Sequence, residues 1–375
     1  MRFGNGTIFL PARGFVPGGF AVEAGRFTRV WEGDDGPCDR DLAGACVIPG
    51  LIDLHIHGAA GADFSDADLT GLTRMAAFLA SQGVTGFAPT SMALSYEALT
   101  DAFATEKALA EDRPAGCARS LGVHMEGPFF SAEKCGAQNP AYLRDPDPVA
   151  FRRLREASGG RIRITDAAPE LPGAAAFAEE ASKTCVVSAA HTAAGYDQAA
   201  AFFRAGATHL THLFNAMPPL LHREPGVIGA AAEREDVTAE LICDGIHVHP
   251  SAVRAAFRLF PGRICLISDA MRACGMPDGT YDLGGQTVYK RGPEARLADG
   301  TIAGAVSTLY DNLRNAFAFG IPAYEAVTAA TLTPARVLGC EGEVGQIAPG
   351  MMADFVICRK DLSRLEVWMG GEQIV

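Results

Sequence analysis

An α/β fold is predicted, a (β/α)8 TIM-like barrel with a small β-sandwich domain built from both chain ends. Three features of the 375-residue chain carry that expectation. Strand-like apolar runs recur eight times between Leu51 and Ser268. Helical patterns separate most of them. The two termini share a texture of short strands and tight turns that the middle lacks. The bounds that follow are residues 1–48 and 339–375 for the two parts of the sandwich and 49–338 for the barrel.

Taken in order, FGNGTIFLPARG, FAVEAGRFTRVWEG and ACVIPG read as strands joined by turns, and the C-terminal stretch from Gly342 has the same character. Chain ends commonly lie close together, which favours one shared domain with the barrel inserted. The barrel strands are expected at Leu51–His57, Val84–Pro89, Leu121–Glu126, Ile162–Ala167, Thr184–Ala190, Thr208–Leu213, Thr238–Cys243 and Arg263–Ser268. Leu69–Ser81, Tyr96–Ala110 and Pro250–Leu259 carry apolar residues at helical spacing. Residues Tyr281–Gly304 alternate and carry turn residues, so they read as an inserted β-hairpin. Helices over Thr308–Phe319 and Ala323–Leu338 then close the barrel. An open doubly wound sheet is the alternative, but no G-x-G-x-x-G follows the first strand.

Composition narrows the function. A hydrophobic content of 48% with 20% charged residues suits a globular protein. The net charge of −12 excludes a nucleic-acid partner, which demands a basic face, while leaving room for a small phosphorylated ligand. The N-terminus lacks a continuous apolar core and no run reaches the length of a membrane span, so neither a signal peptide nor a membrane partner is expected. Ten scattered cysteines without a Cys-x-x-Cys pair point to reduced thiols and a cytoplasmic location.

All nine histidines lie between His55 and His249. His191 and His212 each end an expected strand, and so does the His55-Ile56-His57 pair, whose imidazoles point the same way because strand side chains alternate. In a parallel α/β protein that rim gathers ligands and catalytic groups, and clustered imidazoles there are good metal ligands. Glu126 and Asp269 end the third and eighth strands. Singly, each has an ordinary reading as a surface salt-bridge partner or a helix cap; the combination points to chemistry.

The order Pro49-Gly50-Leu51-Ile52-Asp53 before His55-Ile56-His57 resembles the opening of the amidohydrolase superfamily barrel. The run His124-Met125-Glu126-Gly127-Pro128-Phe129, followed by Lys134-Cys135-Gly136-Ala137-Gln138-Asn139-Pro140, resembles the N-acetylglucosamine-6-phosphate deacetylase family within it. That resemblance implies Glu126, His191 and His212 as metal ligands and Asp269 as the general base. It implies substrate contacts at Asn215 and Ala216, at Asp244 and His247 in the D-G-x-H segment, and at Ile302, Ala303 and Gly304. Arg223, in His222-Arg223-Glu224-Pro225-Gly226, matches the family's phosphate-binding arginine, whose planar fork suits two phosphate oxygens. Ala137 and Gln138 match a further substrate segment. Some members carry histidine at Gln138, and since an amide does not carry a proton at neutral pH the residue is given a binding role at most. His124, His209 and His249 receive no catalytic role.

The expectation is therefore a deacetylase of N-acetylglucosamine 6-phosphate, with a small-molecule amino-sugar phosphate as partner and a homodimeric state. One or two divalent ions per subunit, zinc or iron, are expected: the tighter on Glu126, His191 and His212, and a second that His55 and His57 could hold with Glu126 bridging, the alternative being a mononuclear site in which His55 and His57 only hydrogen-bond substrate or water. Three alternatives stand beside it: the galactosamine epimer as substrate, another amidohydrolase activity such as a cyclic amidase or deaminase, and a catalytically silent barrel serving as a binding protein.

Overall fold

The computed structural model describes residues 1–375, of Leu365 the backbone alone. Parallel strands occur where the apolar runs predict them, at Leu51–Ile56, Val84–Pro89, Val123–Met125, Ile162–Ala167, Val186–Ala189, His209–Leu210, Thr238–Ile242 and Ile264–Ile267. The first two belong to a three-stranded sheet and the last six to a six-stranded one, paired in chain order. A parallel bridge between Thr90 and His124 joins the two sheets on one side. On the other, the Asp269 N–H donates to the His55 carbonyl at 3.0 Å. The result is a curled parallel sheet.

The third expected strand differs in detail. Arg119–Ser120 pairs with the second strand, whereas Val123–Met125 pairs with the fourth. The chain changes partner at Gly122, whose φ of +120° is open only to glycine and where a Cβ would lie 2.6 Å from the Arg161 carbonyl oxygen.

Helices cover the sheet with their apolar faces. Leu69–Ser81 starts because Asp68 accepts from the N–H groups of Thr70 and Gly71, and it buries Leu72, Met75, Ala76 and Leu79. Tyr96–Glu111 is capped by Ser95 in the same way. The last expected helix is two, Ala323–Ala330 and Leu332–Val337, broken at Thr331. Pro334 explains the break: it has no N–H to give to the Ala330 carbonyl, and its ring clashes there in a continuous helix.

Both chain ends enter one eight-stranded sheet. Arg2–Leu10 pairs with Gly14–Glu23, and Phe355–Cys358 pairs with Cys46–Pro49, so the C-terminal strands sit directly against those leading into the parallel sheet. Phe3, Phe20, Phe27, Phe355 and Trp368 pack as an aromatic core of their own. Each buried ring of this kind contributes about 1.5–3 kcal/mol of transfer free energy. The expected hairpin at 281–304 is a three-stranded antiparallel sheet, Gly279–Leu283, Gln286–Arg291 and Glu294–Leu297. Among the described residues no helix is long and apolar enough to cross a membrane.

Candidate active site

A cavity of about 260 Å³ opens at the carboxyl ends of the parallel strands. That is just below the ~300–1,000 Å³ of sites for drug-sized ligands, a size that suits a small molecule. His57, Glu126, Ala137, Gln138, His191, His212, Asn215, Ala216, His247, Asp269, Ile302 and Gly304 line it. Gly136 and Thr301, each beside an expected residue in a matched segment, complete the wall with Met92 and Leu283, which had no distinguishing mark in the sequence. Leu283 and Thr301–Gly304 belong to the inserted sheet and its return loop, so that insertion forms one side of the cavity.

At the floor, Glu126 Oε1 lies 3.1 Å from both His191 Nε2 and His212 Nε2, and those two nitrogens are 3.1 Å apart. A second group adjoins it. His57 Nε2 is 3.4 Å from Glu126 Oε2 and 3.3 Å from Asp269 Oδ1, and His55 Nε2 is 3.7 Å from Glu126 Oε1 and 3.5 Å from Asp269 Oδ1. His55 is wholly buried behind His57.

Ring orientation is fixed from behind. His57 Nδ1 donates to the Thr90 carbonyl at 3.1 Å and His191 Nδ1 to the Lys134 carbonyl at 2.9 Å. Those bonds hold one proton on Nδ1 and turn Nε2 to the cavity, where it supplies the lone pair a ligating imidazole needs once an entering ion displaces any second proton. His212 Nδ1 is buried without a protein partner. Five donors, four imidazoles and a carboxylate, thus converge in two overlapping groups, which fits one or two divalent ions of the nitrogen- and oxygen-binding kind. His55, His124 and Glu240 also lie close together, but there the short distance is a hydrogen bond and both His124 nitrogens are engaged, by the Leu54 carbonyl and Asp166.

The backbone contributes too. His191, His212 and Asp269 have φ of 43°, 30° and 49°, a left-handed conformation that non-glycine residues seldom adopt. Each stands two positions beyond the end of its strand, and the turn aims its side chain across the sheet mouth.

With no ion bound, the site holds ionised carboxylates among protonated imidazoles. Burial pushes Glu126 up, but the charge of His55 and the bonds from His191 and His212 outweigh it and hold the carboxyl well below its usual range. Asp269 is lowered in the same way, burial being overcome by His55 and His57. Burial works against the charged form of His57 and His212, yet the neighbouring carboxylates, Asp269 for the first and Glu126 for the second, raise both to about 9.

Of the remaining expected residues, Asp244 lines no part of the cavity but holds His247, accepting from its Nδ1 at 2.6 Å and from the backbone N–H of Ile246 and His247. Ala303 is buried behind the loop whose neighbours face the cavity. Arg223 is not brought to the cavity. It lies on an exposed loop beside a separate surface hollow with Pro218, Pro219 and Pro225, its Nη1 2.8 Å from His222 Nε2. His249 caps the helix Pro250–Leu259.

Residues 46–374 match the model of the amidohydrolase family. The chain is 38% identical over 325 residues to the N-acetylglucosamine-6-phosphate deacetylase of Bacillus subtilis strain 168, covering 85% of this chain and 82% of that protein. It is 36% identical over 338 residues to the N-acetylgalactosamine-6-phosphate deacetylase of Escherichia coli O157:H7, covering 89% and 88%. Its fold superposes on the crystal structure of N-acetyl-D-glucosamine-6-phosphate deacetylase from Mycobacterium smegmatis with a TM-score of 0.94, at 35% identity and full coverage of both chains.

Proposed function

Because the chain belongs to the amidohydrolase family, we propose that it hydrolyses the acetamide of N-acetylglucosamine 6-phosphate, giving glucosamine 6-phosphate and acetate. The observation that carries this reading is the meeting of Glu126, His191 and His212 with Asp269 in one small cavity at the strand ends. Residues 49–338 are read as a closed (β/α)8 barrel, and residues 1–48 with 339–375 as one small β-sandwich domain. The two bonded seams of the curled sheet and the shared eight-stranded sheet support this.

Glu126, His191 and His212 would hold one divalent ion, zinc or iron, and His55 with His57 a second, Glu126 serving both. When bound, the metal supplies Lewis-acid polarisation of the amide carbonyl and acidifies a water. Asp269, ionised because its pKa is depressed, takes a proton from the attacking water as the new C–O bond forms. It returns that proton to the nitrogen as the C–N bond breaks, so the amine departs neutral. His247, held through Nδ1 by Asp244, presents Nε2 to the substrate. Asn215, Ala216 and Gly304 bound the sugar, with Ala137, Gln138, Ile302 and Ala303 in the same wall or behind it.

Arg223 anchors the phosphate. In its own chain it stands outside the cavity, next to the exposed Leu220 and Leu221, which supports a homodimer in which this loop reaches the neighbouring protomer's site. Ten cysteines without a disulfide among the described residues agree with a cytoplasmic setting. A second reading, the galactosamine epimer, is favoured by the similarity to the Escherichia coli protein. Acetate release from a panel of N-acetylated sugar phosphates, with metal content measured on the same sample, tests both. Turnover of the glucosamine derivative well above its epimer is expected. No acetate from any member of the panel overturns the deacetylase reading.

A further inference from the structure

Glu240 lies in the middle of the seventh parallel strand, fully buried and outside the cavity lining. Its Oε2 is 2.8 Å from His55 Nδ1 and accepts from the His212 backbone N–H at 3.1 Å. Its Oε1 is 3.1 Å from His209 Nε2, and His209 Nδ1 in turn lies 2.6 Å from the Thr238 hydroxyl. A carboxylate can only accept, so the proton of His55 sits on Nδ1 and the Nε2 lone pair faces Glu126, His57 and Asp269. The other cavity imidazoles are held differently. His57 and His191 lean on neutral backbone carbonyls and His212 Nδ1 has no protein partner, so His55 alone among the four has a carboxylate behind it.

We propose that Glu240 is a positioning residue for the first-strand half of the site: it fixes the tautomer and strengthens the donor power of His55, and so sets the affinity for an ion held by His55 and His57. The ion on Glu126, His191 and His212 does not depend on it to the same degree, because Gln138 holds Glu126, the Lys134 carbonyl holds His191, and Glu240 meets His212 only through its backbone N–H. This rests on the two-ion reading given above. Carboxylates placed behind ligating histidines in this way typically govern about 10–100-fold in metal affinity.

Two variants separate the hydrogen bond from the charge. Glu240→Gln keeps an acceptor for His55 and His212, since its amide nitrogen can face His209 once that ring switches tautomer. Glu240→Leu removes the acceptor altogether. Stepwise zinc titration of the metal-free protein, with 15N spectra assigning the protonated nitrogen of His55, reads both effects. In Glu240→Gln the Nδ1–H form of His55 is expected to persist while the weaker ion loses about tenfold in affinity. In Glu240→Leu the tautomer is lost and the weaker ion falls by about 100-fold, with the tighter ion changed by less than about threefold. An unchanged second ion in Glu240→Gln overturns the proposal. So does an Nε2–H tautomer of His55 in the wild type, or equal weakening of both ions, which marks a merely structural role. If the wild type takes up one ion only, the two-ion reading is what fails, and the His55 tautomer in the variants still decides whether Glu240 positions that ring.

Discussion

The side-chain amide of Gln138 donates to Glu126 Oε2 at 2.7 Å. Its other end accepts from the Ala93 N–H, also at 2.7 Å, so the amide ties the one carboxylate shared by both imidazole pairs to the backbone of the loop after the second strand. Gln138 lines the cavity as expected, but its strongest contacts are to the protein. Gln138→Ala should lower metal affinity by roughly tenfold, more than it raises KM at saturating metal. Metal titration and kinetics on the same preparation check this; a change confined to KM would leave Gln138 a substrate contact alone.

Asp269→Asn keeps the shape of the side chain and removes its ability to accept a proton. Turnover should fall by about 10²–10⁴-fold while metal content stays near the wild-type value. A near-normal kcat in that variant would remove Asp269 as the base.

Arg223→Ala should raise KM for the phosphorylated substrate by roughly 10–100-fold, the effect of losing charged hydrogen bonds of about 1.5–3 kcal/mol. Hydrolysis of the unphosphorylated sugar should not change. Mixing Arg223→Ala subunits with Asp269→Asn subunits offers a sharper check. If the arginine serves the neighbouring protomer, hybrids assayed well below the raised KM show more activity than either variant alone.

The His55→Asn, His57→Asn double variant should bind one ion per chain where the wild type binds two, and should lose most of its turnover. Chelation followed by stepwise reconstitution measures both. Full activity at one ion, unchanged by the double substitution, would dismiss a catalytic second metal.

Asp53 gives a pH dependence. Its Oδ1 accepts from the N–H groups of Ser268 and His55, its Oδ2 has no partner, and burial raises it to about 7. The folded value exceeds the unfolded value of about 3.9, so its stabilising contribution is complete below about pH 4 and is lost as pH rises through about 7. Asp53→Asn removes that loss. Urea unfolding of the metal-free proteins should show the variant gaining on the wild type by a few kcal/mol across this window. A difference that does not vary with pH would refute the assignment.

Much of this was legible because the chemistry sits at the ends of regular elements. A strand's two-residue period placed His55 and His57 on one side, and residues just after strands reach a common rim. What escaped were groups whose meaning depends on distant partners. Glu240 meets His55 across 185 positions, and in Thr-Ala-Glu-Leu-Ile it reads as one polar residue of an alternating strand. The available signal was a carboxylate inside a strand covered on both faces, where apolar residues are the rule. Asp166 and Thr90 hid for the same reason. The break at Thr331 was readable from Pro334, three positions on, but helical spacing of the apolar residues masked it.

The left-handed backbone at His191, His212 and Asp269 has a consequence for heat resistance. Each such residue costs on the order of 1–3 kcal/mol that only the surrounding fold sustains. Glycine adopts this conformation without that steric cost. Stripped of metal, a His212→Gly version of the protein should therefore melt at a higher temperature than the wild type, although it has surrendered its chemistry. The working molecule holds itself below the thermal ceiling its own fold permits.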